Sequence, residues 1–398
     1  MTAPAEVTTK LEKVRRWLRE SGSEAILFSS QGWFAWITAG ADSHVSLGDA
    51  TGAAWVLVTE ARAYLVAANN ELPRFRDELL AGLPFEPISW PWHAKDGGAQ
   101  AVARLCAPQR ALSDLGVAGL TRAPEDLARL RFTLVPDEIE RYRRLCCDAA
   151  QVVEQVCEAA RPGQSELEIA AAVAGACRAS DILALVVLVG TDERIAKFRH
   201  PLPTATRVGR QLLVALTGRR HGLHASLTRL VSFGRPDEDL TRRQCAVARV
   251  DARLILQSRQ GATLGEVLAA GIEQYAAEGF AAEWEQHHQG GLTGYGGREV
   301  FATRGAPLRL QAGQVLAWNP SIRRVKSEDT ILVTQDAPEV LTLTSRWPRE
   351  PVRLPIGAID SPCHPRPIGH PRCRPRGLTR EIIVSSGRSS AASAWRAV

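Results

Sequence analysis

The sequence predicts an α+β protein of two domains. Three observations carry that prediction. The chain has 398 residues, enough for two ordinary domains. Its first 132 residues alternate short helical and strand-like segments. Its later part runs helix, helix, strands, and then repeats that order once.

In order, "KLEKVRRWLRESG" places Leu11, Val14 and Leu18 at helical spacing and stops at Gly22. "EAILFS", "GAAWVLVT" and "AYLVA" are short apolar runs rich in strand formers, "ELPRFRDELLAG" is helical, and "ISW" is again strand-like. These segments make residues 1–132 a mixed α/β domain. In "LRFTLVPDEIERYRRL" a strand-like stretch ends at Pro136, and Asp137 and Glu138 open a helix. Residues 137–160 and 165–179 read as helices, with strands at 182–189, 211–217 and 227–233. A second round places helices at 236–256 and 263–279 and strands at 313–318 and 330–334. Residues 133–348 are thus expected to set helices on one face of a curved antiparallel sheet, with a cleft at the pseudo-twofold. The duplication is one of element order, without a residue-level repeat.

Residues 349–398 differ. From residue 351 onward there are seven prolines, eight arginines and two acids, a composition that predicts a disordered Pro/Arg-rich tail. Cys363, His364, His370 and Cys373 have ligand chemistry, but their spacing matches no zinc pattern. The whole net charge of +6 sits in this tail, because residues 1–350 balance to zero. The body therefore lacks a basic excess, and no nucleic-acid partner is expected. No apolar run reaches the roughly 18 residues of a membrane span. The opening "MTAPAEVTTKLEKVRRW" has no apolar stretch after its charges, so a cytoplasmic location without membrane partners is expected. None of the eight cysteines forms a C-x-x-C pair, and they read as reduced thiols.

The stretch with the most chemistry is "EQHHQGGLTGYGGRE", residues 285–299, where two histidines precede a glycine-rich turn and an Arg-Glu pair. Neighbouring residues on a strand point to opposite faces, so one at most of His287 and His288 is expected to face a cleft. His221 and His224 form an H-x-x-H on a predicted hairpin, a pattern that in isolation is usually a turn facing solvent.

Several of these segments, in this order, resemble the creatinase/aminopeptidase P/prolidase family, known as M24, from about Lys13 to Pro348. "WFAWITAGAD" is similar to part of that family's N-terminal domain. "VPDEIERYRRLCCDAA" resembles the opening of its catalytic domain. "VGRQLLVALTGRRHGLHASLTRLVSFG" resembles its G-D-x-x-x-x-D…S-D-x-T-R strand pair, "HHQGGLTGY" its H-x-x-G-H-x-x-G segment, and "KSEDTILVT" its last R-x-E-D-T strand. The resemblance implies a pita-bread fold behind a creatinase-like N-terminal domain, and a homodimer.

In the metallopeptidases of the family, two Asp, one His and two Glu hold two metal ions, which acidify a shared water. The matching positions here are Ala215, Ser226, Gly291, Asn319 and Glu328. Only Glu328 keeps a ligand, so the expectation is no metal and no cofactor. The remaining candidates are His200 and Glu328 as catalytic residues, and Arg298, Glu299, His287, His288 and Tyr295 as substrate contacts. Arg199 and Lys326 are weaker candidates. His200, in "KFRHPLPT", matches the histidine that serves as general base in metal-free creatinase, and an imidazole suits proton exchange near neutrality. Glu328 could hold a cationic or NH-rich group, Arg298 could grip a carboxylate, and Glu299 could orient Arg298. Each residue has a plainer role open to it: hydrogen bonding within the protein or ordinary charge pairing. The expected function is metal-independent hydrolysis of a C–N bond in a small amidine, guanidino or amide substrate. Two alternatives are an Xaa-Pro dipeptidase or aminopeptidase that depends on metal, and a binding module without catalysis.

Overall fold

The computed structural model describes residues 3–362 and 366–368. Helix α1 (Ala3–Ser21) ends at Gly22, whose φ of 69° is the left-handed turn a glycine allows. Strand β1 (Ala25–Ser30) leads into α2 (Gln31–Ile37), capped by the Ser30 hydroxyl, which accepts from the Trp33 N–H. Strands β2 (Thr51–Thr59) and β3 (Ala63–Ala68) follow, then α3 (Leu72–Arg74), β4 (Glu86–Trp90), α4 (Gly97–Ala103), β5 (Ala111–Ser113) and β6 (Thr121–Arg122). The six strands form one sheet in the order β4-β3-β2-β1-β5-β6. Its mixed parallel and antiparallel pairing fits the alternating pattern of the sequence.

The stretch before Pro136 is not a strand. Residues 125–131 wind as a 3-10 helix, because "EDLARLR" carries its apolar residues at turn spacing and Leu127 alone is buried. Helices α5 (Pro136–Ala159) and α6 (Glu166–Ala179) follow. Strand β7 (Leu183–Thr191), the short α7 (Asp192–Lys197), β8 (Gln211–Arg220) and β9 (Leu223–Phe233) complete the first half. The second half repeats the order with α8 (Glu238–Gln257), α9 (Leu264–Ala277), β10 (Gly290–Thr293), β11 (Val300–Phe301), β12 (Val315–Trp318), β13 (Ser321–Ile322), β14 (Val325–Lys326), β15 (Asp329–Leu332) and β16 (Glu339–Val340). Two antiparallel ladders result, β9-β8-β7 and β11-β10-β12-β15-β16. Strand β8 is buried on both faces: Leu212, Val214 and Leu216 join one apolar cluster with α5 and α6, and Leu213 and Ala215 join another with α8 and α9. This is the pita-bread arrangement.

Part of the Pro/Arg-rich segment is ordered, against expectation. Strands β17 (Glu350–Leu354) and β18 (Gly357–Ser361) pair as a hairpin, in register Val352↔Ile359, and lie against α8. Alternating Val352, Leu354 and Ile359 give it an apolar side that composition alone conceals, and Ile359 packs on the second cluster. Strand β19 (Arg366–Ile368) runs parallel to β9. Cys363, His364, His370 and Cys373 lie outside the described residues.

The two ladders meet where the Thr228 N–H donates to the Glu328 carbonyl at 3.0 Å. Beside that junction the buried Arg229 guanidinium reaches Glu154 of α5 at 3.2 Å and Asp329 of β15 at 3.1 Å, and donates to the Thr342 carbonyl at 2.7 Å. Thr344 donates to Glu154 and Thr342 to Asp329. Burial lowers the guanidinium's pKa, but Asp329 and Glu154 outweigh it, so Arg229 stays cationic. Arg229→Met leaves two buried carboxyls without their counter-ion. It should cost about 3–5 kcal/mol of stability, read by chemical denaturation; a change under about 1 kcal/mol would show that this pairing is not what joins the ladders.

Candidate functional site

Three short segments converge at the edge of the cleft. The first is the loop after α7. Its Arg199 forms an ion pair with Glu283 and donates to Ser321 Oγ at 3.2 Å, which ties the loop to the segment just before His287. The next residue but one, Pro201, packs on Gly190, and its carbonyl accepts from Val189 N–H at 3.2 Å. His200 is thus held between two anchored neighbours while its ring remains exposed.

The second segment is His287–Gln289. His287 is extended, with φ −163° and ψ 146°, and lies ahead of β10 rather than in it. The Gln289 carboxamide accepts from Tyr275 Oη at 2.8 Å and donates to Trp284 O at 3.1 Å, which fixes the strap from below. Freed from strand alternation, His287 and His288 do not face opposite ways. Their rings stack at 4.4 Å with a 27° tilt. His287 Nε2 stands 2.9 Å from His200 Nε2, and one imidazole ligand atom from each of the three residues lies within 4.8 Å of the others. His288 also meets the exposed Phe301 edge-on, at 5.1 Å between centroids.

The third segment is "VKSED", at β14 and the start of β15. Glu328 is buried, accepts from Thr228 Oγ1 at 2.6 Å, and is 2.8 Å from Lys326 Nζ and 3.6 Å from Arg298 Nη2. Burial pushes its carboxyl up, but Lys326 and Arg298 prevail and hold it at about 2. Behind it, the buried Asp251 carboxyl is raised well above its ordinary value by burial and by Asp329 and Glu328.

The charges of Lys326 and Glu328 reach all three imidazoles. His287 is pulled down to about 3 by desolvation and then by Lys326, and His288 to about 4 by desolvation, Arg298 and Lys326. His200 is lowered in the same sense by desolvation and Lys326. All three rings are therefore neutral near pH 7, each with one nitrogen lone pair available.

His200, His287, His288, Glu328 and Arg298 are brought together. Three expectations fail on geometry. Arg298 is largely buried as a counter-ion of Glu328, and its Nη1 donates to Gly297 O at 2.6 Å, so it does not project into the cleft to grip a carboxylate. Glu299 does not orient Arg298; it pairs with Arg131 at 2.7 Å and accepts from Gly296 N at 2.8 Å. Tyr295 is buried against helices α1, α2 and α5, where its hydroxyl donates to Glu138 at 2.7 Å beside the buried Lys10. Its apparent proximity came from sequence distance alone. Of the two weaker candidates, Lys326 lies against Glu328 and Arg199 pairs with Glu283. Lys326, two residues before Glu328 on a chain turning between short strands, is the residue a spacing argument could have found. Arg199 acts with Glu283, 84 residues away, and no local signal reports that pair. His224 is buried, held by Gly294 O, and is no part of the cluster.

The residues at the five positions that the resemblance matches to metal ligands do not fit a pair of metal ions. Ala215 and Gly291 offer no side-chain donor. Ser226 Oγ is 3.0 Å from Thr217 Oγ1 and is satisfied there. Asn319 is a neutral amide, buried, its Oδ1 without a hydrogen-bond partner among the described residues. Glu328 already has two cationic side chains beside it. Two divalent ions require several carboxylates to offset their charge, and one paired carboxylate cannot supply that.

Comparisons with known proteins agree with this architecture. A 245-residue alignment with the probable dipeptidase PepE of Mycobacterium bovis is 26% identical, covering 59% of this chain and 64% of the relative, so it spans less than two thirds of that protein's length. Among solved structures, dipeptidase PepE from Mycobacterium ulcerans superposes with a TM-score of 0.72 at 18% identity, covering 87% of this chain and 98% of its own. The Xaa-Pro dipeptidase of Bacillus anthracis gives 0.69 at 20% identity, with 85% and 98% covered. At these identities the superpositions establish the fold and leave the chemistry to the site. Residues 140–335, from α5 to the end of the second ladder and just under half of the chain, match the model of metallopeptidase family M24, the family this chain resembles in sequence and fold.

Proposed function

We propose that this chain hydrolyses the peptide-type C–N bond of a short substrate, with Xaa-Pro and related dipeptides as the first class to test. The observation that carries the reading is the pairing of a solvent-open, neutral His200 with the cationic floor made by Lys326 and Arg298. The dipeptidase and Xaa-Pro dipeptidase names of similar proteins support the substrate class. In this reading a water gives its proton to His200 as its oxygen adds to the carbonyl carbon. In this reading the charge of Lys326 favours the developing oxyanion or a substrate carboxylate. The C–N bond then breaks as His200 returns the proton to the leaving nitrogen.

A second reading is metal-independent hydrolysis of a small amidine, guanidino or amide compound. Its specific support is that Glu328 is ionised and already neutralised by protein cations, so the residues need no bound ion for charge balance. A homodimer that brings the partner's N-terminal domain to the cleft belongs to the same proposal, and sedimentation of the purified chain tests it. No helix among the described residues is long and apolar enough to cross a membrane.

Turnover of Xaa-Pro dipeptides, other dipeptides and small amidines, measured with and without Mn²⁺, separates the readings. His200→Ala should lower kcat by roughly 10²–10⁴ with the fold intact. Wild-type rates from that variant on a true substrate would end the assignment of His200 as base, and a complete lack of turnover across the panel would favour a binding module.

The site also predicts a pH dependence of stability. His287 at about 3 and His288 at about 4 lie below the ordinary 6.5 of an unfolded histidine. The unfolded chain therefore binds more protons between those values. The stabilising contribution is complete above pH 6.5 and declines as pH falls towards 4 and 3. Glu328, at about 2 against an ordinary 4.5, adds stability that is present above 4.5 and lost as pH falls through about 2. The melting-temperature gap between wild type and His288→Gln should shift in the variant's favour between pH 6.5 and 4. A pH-independent gap would contradict the neutral state assigned to His288.

A further inference from the structure

The three imidazoles are close enough to share one ion. His200 Nε2 and His287 Nε2 are 2.9 Å apart, and two neutral rings facing each other in this way accommodate a single proton between them. His288 stacks on His287 and brings a third nitrogen within the same 4.8 Å. The donor set contains imidazole alone. We infer that His200, His287 and His288 form a binding site for one divalent transition-metal ion of the zinc or cobalt class.

The chemistry of the donors selects that class. Imidazole suits Zn²⁺, Co²⁺, Ni²⁺ and Cu²⁺, and an oxygen-free set excludes Mg²⁺ and Ca²⁺ as tight ligands. Metal–nitrogen bonds of 2.0–2.1 Å in a tetrahedron place nitrogens roughly 3.3 Å apart. Small ring rotations bring the observed cluster to that spacing. The carriers of the ligands are already fixed. The Arg199–Glu283 ion pair ties the His200 loop to the segment before His287, and Gln289 anchors the other side through Tyr275 and Trp284. His200 and His288 are exposed, which leaves a coordination position open on the solvent side, as in three-histidine sites that keep a water. Lys326 is the nearby charge that opposes a cation, and its ion pair with Glu328 at 2.8 Å offsets it.

This site is separate from the five positions the family uses, since none of the three histidines matches one of them. It goes beyond the hydrolase reading and needs no turnover to be tested. An ion here would also occupy the lone pair assigned to His200 as base, so the result bears on how water is activated.

The experiment uses the full-length chain, stripped with chelator and checked for folding by circular dichroism. It is titrated with Co²⁺ followed by visible absorption, and dialysed against Zn²⁺ followed by elemental analysis. The expected result is one ion per chain, with affinity reduced roughly tenfold or more in His200→Ala and in His288→Ala. Both residues are exposed, so each variant is expected to fold, and either one suffices. Cys363→Ser with Cys373→Ser, and separately Glu328→Gln, should retain the ion. Three results would overturn the inference: no ion retained by wild type, equal retention in both histidine variants, or loss confined to the cysteine or Glu328→Gln variants.

Discussion

The placement of Glu328, and of the cations that answer it, depends on Arg229. It is a fully buried cation, and a buried cation is tolerated only where its counter-charges and hydrogen bonds are complete. Glu154 comes from the long helix α5, Asp329 from β15, and the Thr342 carbonyl from the chain beyond the second ladder. The guanidinium therefore ties a helix of the first half to a strand of the second. One residue before it, Thr228 bonds Glu328 through both backbone and hydroxyl. The depth and direction of Glu328 follow from that junction, and Lys326 and Arg298 follow Glu328.

The electrostatics of the cleft are inverted relative to what its fold implies. In the two-metal members the protein supplies negative ligands and the ions supply positive charge. Here the positive charge is built into the chain as Lys326 and Arg298, and one carboxylate answers it. The surrounding polar groups adjust accordingly. The Asp251 carboxyl is raised well above its ordinary value and accepts from Ser327, and the three histidines are held below theirs. A carboxylate substrate or an oxyanion meets a favourable field in such a cleft.

The order of elements was legible in the sequence because each depends on local pattern. The α8 boundaries follow from Asp237, whose side chain accepts from Leu240 N–H, and α9 starts at a Thr263–Glu266 capping box. The grouping of His200, Glu328 and the "HHQGG" segment was legible through family spacing. Other features depend on long-range pairing. Adjacent His287 and His288 looked divided by strand alternation, and only the strap set by Gln289, Tyr275 and Trp284 takes them out of the strand. Tyr295 and Glu299 sit beside Arg298 in sequence, yet Glu138 of α5 and Arg131 hold them in pairings of their own. The hairpin at 350–361 was masked by a composition dominated by proline and arginine, although its apolar residues alternate.

Gly291, which the resemblance matches to a ligand position, is fixed by its backbone as well as by its lack of a side chain. Its φ of +147° lies in the region L side chains rarely adopt. A Cβ built there would stand 2.1 Å from Val300 O and 2.8 Å from Ala302 N, both backbone atoms of the paired strand. The same holds for Gly290, whose Cβ would meet Ala317 O at 2.1 Å. At these backbone angles a Cβ would point into the neighbouring strand, so β10 takes glycine at both positions while it stays hydrogen-bonded between β11 and β12. A histidine at position 291 would have to part β10 from β11 before its ring could reach the cleft. At the position the resemblance matches to the family's histidine ligand the backbone admits no side chain, and the imidazoles nearby are those just ahead of it, at His287 and His288, where the chain is free of the ladder.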